Sequence, residues 1–319
     1  MNHRAFARDG LIFADEVRAA GMSLLALQRA TRRGEFHRVR RGVYCPREVW
    51  DAADDRARHI LRMRAVAHDA DGDIVFAGLS AAALWNMPIE GRFPDEVTVI
   101  HSPRSGGKSE PGVRRTAVGG RDVDSVERSG LQVTTLARTA VDVARASNFP
   151  AAVAVIDWAR WRLNPDRVTL ELLWREVMRA GWRTGSAHVM RTIEWSVEES
   201  GSFGESIARV TIVLLGFEAP ELQVRFTDAE GLIIVDFFWR AVMLAGEFDG
   251  KIKFSRDEFT GGDPVGALWR EKRREDRLRR LGPRVLRITW DDVMHPARLE
   301  RMLIEAGVPR VRSSARRTS

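Results

Sequence analysis

The spacing of apolar positions changes along the chain, and each change marks an element. Between residues 11 and 21 it is helical, with Val17 and Ala20 expected inward, and the turn AAGMS leads to a second helix from Leu24 to about Arg33. After Gly34 the period becomes that of strands. In EFHRVRRGVYC, Phe36, Val39 and Val43 suit a strand pair turning near Arg41 and Gly42. Helix, turn, helix and hairpin therefore occupy residues 1–45.

Residues 46–200 alternate between the two periods. Helices are expected over 54–69 and 80–86, strands at EVTVIH and GVRRTAV, and an amphipathic helix at TTLARTAVDVARA after a strand. Three further helices are expected near 150–162, 168–180 and 186–199. Arg138 and Asp142, four residues apart on one helical face, read as a structural ion pair. This middle region carries no spaced catalytic constellation, and a linking or partner-binding role is its default.

A boundary is expected near EESGSFGES. Beyond it the order is helix 203–215, strands 221–227, 232–239 and 242–248, helix 264–281, strand 284–290 and helix 296–306. The fold class is thus α/β of the α+β kind: a helix-turn-helix with a wing, a mixed α/β middle, and an αβββαβ core over 201–309. The last residues, 310–319, are polar and basic without periodicity and are expected to form a disordered tail.

Composition narrows the functional classes. With 44% apolar and 30% charged residues among 319, the chain is that of a soluble globular protein. A formal charge of +7 and a pI near 10.5 suggest an anionic partner, nucleic acid first. Cys45 is the single cysteine, which excludes an internal disulfide and fits a reducing cytoplasm. The seven histidines show no HExxH spacing, which argues against zinc. No apolar leader core and no stretch of membrane-spanning length is present, so a cytoplasmic location without membrane contact is expected.

Two groups of residues suggest chemistry. The second helix carries Gln28, Arg29, Arg32 and Arg33, and the hairpin carries His37, Arg38, Arg40 and Arg41. In a winged helix-turn-helix such side chains reach base edges and hold phosphates of double-stranded DNA; an arginine-rich solvated hairpin is the plainer reading.

The second group centres on LIIVDFFW, where Asp236 interrupts a run that reads as a strand buried on both faces. A buried charge needs a partner or a metal. The next strand brings Glu247 and Asp249 onto one face, and a hairpin around Arg240 and Ala241 would let Asp236 and Glu247 converge as hard oxygen ligands for Mg²⁺ or Mn²⁺. All but four of the 51 basic residues are arginine, yet Lys251 and Lys253 stand in GEFDGKIKF. Plainer roles exist for the neighbours: Ser202 and Glu205 have capping-box spacing, Gln223 could satisfy a strand edge, Asp249 before Gly250 could be a turn residue, and REKRREDRLRR reads as a solvated helix face, whose arginines on a nuclease would also suit DNA phosphates.

Through SFGESIAR, PELQV, IVDFFW, GEFDGKIKF, EKRREDRLRRLG and VLRITWDD, residues 200–307 resemble the PD-(D/E)xK nuclease superfamily, within it the very-short-patch-repair-like endonuclease domains. The first 45 residues, ending in RVRRGVY, and TLARTAVDVAR resemble AbiEi-type antitoxins. The resemblance implies that Asp236 and Glu247 hold the metal, that Glu205 adds a carboxylate, and that Gln223 lines the site. It also puts Lys253 where the relatives carry histidine, with Lys251 in the variable pair. Asp249 stands where the superfamily pattern has lysine. Two functions are expected from this: a metal-dependent DNA endonuclease, or an antitoxin-like repressor of a type IV toxin–antitoxin system, with a cognate toxin as partner and a non-catalytic nuclease-like domain.

Overall fold

The computed structural model describes residues 9–21, 23–70, 74–101, 110–117, 123–250 and 264–311. Lys251, Lys253 and residues 312–319 of the expected tail lie outside the described residues. The chain divides into two compact units, one within Met1–Ala146 and Val168–Ala187, the other within Ser147–Arg167 and His188–Ser319. Both are mixtures of helix and sheet.

In the first unit, strand β1 (Ile12–Phe13) leads into helix α1 (Ala14–Ala19) and α2 (Leu24–Arg32), followed by strands β2 (Phe36–Arg40) and β3 (Val43–Pro46). The three strands form an antiparallel sheet in the order β1-β3-β2, with Ile12 opposite Tyr44 and Phe13 opposite Val43. Alternation sends Leu11, Phe13, Val43 and Cys45 to one cluster and Ile12 and Tyr44 to another with Val17, Leu27 and Phe36. Both faces of this small sheet are thereby buried. Gly42 takes a φ of 78° at the turn, a conformation that glycine adopts without strain. Ala20, expected inward, is exposed because α1 ends one residue earlier and Ala20 caps it.

A five-stranded sheet follows in the order β6-β5-β4-β8-β7, made from β4 (Val75–Phe76), β5 (Val97–His101), β6 (Val113–Ala117), β7 (Ser125–Arg128) and β8 (Leu131–Thr134). Helices Asp55–His68, Gly78–Trp85 and Leu136–Ala146 match expected segments. Arg138 Nε donates to Asp142 Oδ2 at 2.9 Å, the anticipated ion pair. Helix Arg47–Ala52 and strands β4 and β7 were not anticipated, being too short for periodicity to register.

The second unit is built on a four-stranded sheet, β12-β11-β10-β9, from β9 (Glu221–Asp228), β10 (Gly231–Trp239), β11 (Leu244–Asp249) and β12 (Arg284–Thr289). Strands β9, β10 and β11 pair antiparallel, and β11 and β12 pair parallel. The hairpin expected around Arg240 forms, with Trp239 opposite Leu244. Helix Phe203–Leu214 precedes the sheet and helix Pro264–Arg280 connects β11 to β12, in the expected order. A short helix, Trp290–Met294, is additional; Thr289 and Asp292 form its reciprocal capping box.

The contact-defined boundary differs from that expected at residue 200. Helix Phe149–Arg160 is joined to Phe203–Leu214 by a buried ion pair, and the end of Ser186–Trp195 by a hydrogen bond. Arg209 donates to Asp157 at 3.0 Å and to the carbonyl of Trp195 at 3.0 Å, and Val197 N–H donates to Asp157 at 2.7 Å. Ala151 and Ala154 share a core with Ala208, Ile212, Phe237 and Trp239. The boundary expected near EESGSFGES does not form, because packing on both sides of it makes one unit. Among the described residues no helix is long and apolar enough to cross a membrane.

Candidate functional site

The sheet of the second unit is broken at one point, and the predicted carboxylates gather there. In a regular strand, residues two apart share a face. Yet Leu222 packs with one apolar cluster and Val224 and Phe226 with the other; likewise Ile233 and Val235 part from Phe237 and Trp239. Both strands reverse their alternation at Gln223 and Asp236. Gln223 carries the distortion as a φ of 50°, in the left-handed region rarely used by non-glycine residues. The expectation that β10 is buried on both faces is corrected: Leu232 is 52% and Ile234 38% exposed, and Asp236 is only half-buried.

Four of the expected residues meet at this break. Gln223 Nε2 donates to Glu205 Oε2 at 3.1 Å and approaches Asp236 Oδ1 at 3.4 Å. The amide thus bridges two carboxylates. Asp236 Oδ2 accepts from Phe248 N–H at 2.9 Å, which ties it to the strand carrying Glu247. Glu205 lies at the start of its helix, where Ser202 Oγ accepts its N–H at 3.2 Å and its own Oε2 accepts Gly201 N–H at 2.9 Å. It therefore both steadies the helix start and faces Gln223. A Cβ on Gly204 would stand 2.1 Å from the Phe248 ring, so only glycine lets this helix approach β11 so closely.

Glu247 is strongly perturbed by its surroundings. It is 9% exposed, and burial raises its pKa to about 7 against the opposing pull of Arg274, with nearby Asp236 and Glu271 adding repulsion. Arg274 Nη2 lies 2.7 Å from Oε2, while Oε1 is buried without a hydrogen-bond partner. Asp249, on the same strand, is 3.9 Å from Arg287 at the nearest oxygen. Among the described residues no group of three or more His, Cys, Asp or Glu is arranged for a metal. Two carboxylates suffice for a magnesium-type ion, which keeps water and substrate oxygens in its other positions. Asp236 and the orphaned Oε1 of Glu247 fit that donor set.

The first unit offers a separate feature. A cavity of about 570 Å³ is lined by Arg18, Gln28, Arg32, Arg38 and Arg41 above Tyr44. All five polar side chains belong to exposed residues, suitable for phosphate oxygens. The remaining candidates lie differently. Arg29 is exposed outside this lining, and Arg33 pairs with Glu35 at 2.7 Å. Arg40 turns to Asp69 at 3.2 Å and to Glu110. His37 stacks on Trp50 at 3.9 Å, and burial with neighbouring Arg47 and Arg62 lowers its pKa.

Arg18 is absent from the expected residues, and Glu271 and Arg274 enter them only as part of the charged run REKRREDRLRR. For the last two a signal existed. Among the described residues of the charged helix Leu278 is the buried apolar one, and Arg274 and Glu271 stand four and seven positions before it on the same stripe. A run that reads as solvated thus has one face turned to the sheet.

No protein-family model matches the chain. A crystal structure of the RV2827C protein from Mycobacterium tuberculosis is similar at a TM-score of 0.39 and 14% identity, covering 62% of this chain and 74% of that one. Uncharacterized protein MT2308 from Mycobacterium tuberculosis strain CDC 1551 / Oshkosh is 31% identical over 238 residues, which is 71% of this chain and 81% of the relative. Uncharacterized protein Rv2248 from strain H37Rv matches with the same figures. At that identity and coverage, the chain belongs to the family of these two mycobacterial proteins.

Proposed function

We propose that this protein binds double-stranded DNA and hydrolyses its phosphodiester backbone with Mg²⁺ or Mn²⁺. The observation that supports this reading most is the convergence of Glu205, Gln223, Asp236 and Glu247 at a sheet break, with Glu247 Oε1 buried and unpartnered. Asp236 and Glu247 would hold the ion, whose chemistry is to acidify a bound water and offset charge on a phosphate. Gln223 fixes the orientation of Asp236 and Glu205 through its single amide. Arg18, Arg32, Arg38 and Arg41 hold phosphates at the other unit, and Gln28 among them is suited to a base edge. Lys253 or Lys251 would orient water or stabilise the scissile phosphate, as the resemblance implies.

A plasmid-cleavage assay with Mn²⁺ tests this. Wild type is expected to nick or cut, and Asp236→Ala to lose at least ~10²-fold in rate; undiminished cutting by Asp236→Ala refutes the assignment. The triple change of Arg32, Arg38 and Arg41 to Ala should reduce the slope of log affinity against log salt by about 3.

The second reading, an antitoxin-like DNA-binding repressor with a cognate toxin, gains from one observation: a guanidinium already sits on Glu247. DNA binding by wild type without cleavage under any divalent ion would favour it.

A further inference from the structure

We infer that Arg274 is a built-in counter-cation of the carboxylate centre, so that a divalent ion reaches Glu247 only as the guanidinium transfers to Glu271. This rests on the proposed metal role of Asp236 and Glu247. An arginine that partners a carboxylate frequently engages both of its oxygens in a two-pronged fork. Arg274 engages one: Nη2 is 2.7 Å from Oε2, and Oε1 is left buried without a partner. The same guanidinium is also held by a second carboxylate, which shares Nη2, and by a strand carbonyl. Nε lies 3.2 Å and Nη2 3.3 Å from the Glu271 carboxylate one turn earlier, and Nη1 donates to the Ile234 carbonyl at 3.0 Å.

The receiving contacts are therefore already made before any exchange. The Arg274 side chain is 30% exposed and that of Glu247 12%, so the cation has room to withdraw outward while the carboxylate stays. Glu271 is also met by Arg287 at 3.2 Å, which keeps it in place as acceptor. Two positive charges cannot share Glu247 without mutual repulsion, so one excludes the other. Arg274 thereby keeps the centre folded and charge-balanced without metal, and sets the cation concentration at which it loads.

Binding of Mn²⁺ to the full chain, followed by the electron paramagnetic resonance signal of the free ion, tests this without reference to activity. Arg274→Gln is expected to bind about tenfold more tightly than wild type, and Arg274→Lys to fall between them. Arg280→Gln makes the same charge change at an exposed pair with Glu230 and should leave affinity unchanged. The gain should vanish when Glu247 is also changed to Gln. Equal or weaker binding by Arg274→Gln, or an equal gain in Arg280→Gln, overturns the exchange while leaving the carboxylate site. Absence of Mn²⁺ binding in wild type and every variant overturns both.

Discussion

Replacing Asp157 by alanine is expected to cost about 3–5 kcal/mol of folding stability, because it leaves a buried guanidinium without its counter-charge. Asp157 is 1% exposed and Arg209 8%. Burial raises the Asp157 pKa, opposed by Arg209 and by hydrogen bonds from Ser206 and Val197 N–H. Alanine removes all of those partners at once. The loss should reach the candidate site, since Arg209 belongs to the helix that presents Glu205. Changing both members, Asp157→Leu with Arg209→Met, should recover most of the stability, because paired apolar groups need no desolvated charge. Urea unfolding of the three variants measures this; a cost below about 1 kcal/mol for Asp157→Ala, the range of an exposed pair, would refute it.

The second large effect concerns Glu247 and pH. Its folded pKa of about 7 lies above the ordinary 4.5, because burial disfavours the carboxylate. Below pH 4.5 both folded and unfolded chains hold the proton, and the group contributes no penalty. Between 4.5 and 7 the unfolded chain ionises while the folded one retains its proton, so folding stability from this group falls as pH rises. Above 7 the full penalty of ~3 kcal/mol applies. Glu247→Gln removes that slope. The stability difference between Glu247→Gln and wild type should therefore shift by ~3 kcal/mol in favour of glutamine between pH 4.5 and 8. A difference that stays constant across that range contradicts the assignment.

Much of the fold was legible because its elements are long and periodic. The αβββαβ order and the turn at Arg240 follow from apolar alternation and helical spacing alone. Three things were not legible, each for a physical reason. Strand β10 read as buried on both faces, since Leu232 and Ile234 are apolar, but an apolar side chain does not disclose whether a layer covers it. The unit boundary was hidden because Asp157 and Arg209 are 52 positions apart, and no local pattern reports a long-range pair. The break at Gln223 and Asp236 is the third: one non-glycine residue in the left-handed region leaves no compositional mark. The site was legible in its residue types, with Glu205, Gln223, Asp236 and Glu247 all brought together. Arg274 was obscured by a run of like charges, in which only its offset from Leu278 distinguishes it.

The most direct test is a crystal of the full chain soaked with Mn²⁺ and measured at an energy where manganese scatters anomalously. The expected result is a peak in contact with both Asp236 and Glu247, with the Arg274 guanidinium moved off Glu247 towards Glu271. Manganese peaks elsewhere in the molecule with none between Asp236 and Glu247, and Arg274 still seated on Glu247, would contradict a metal-dependent centre.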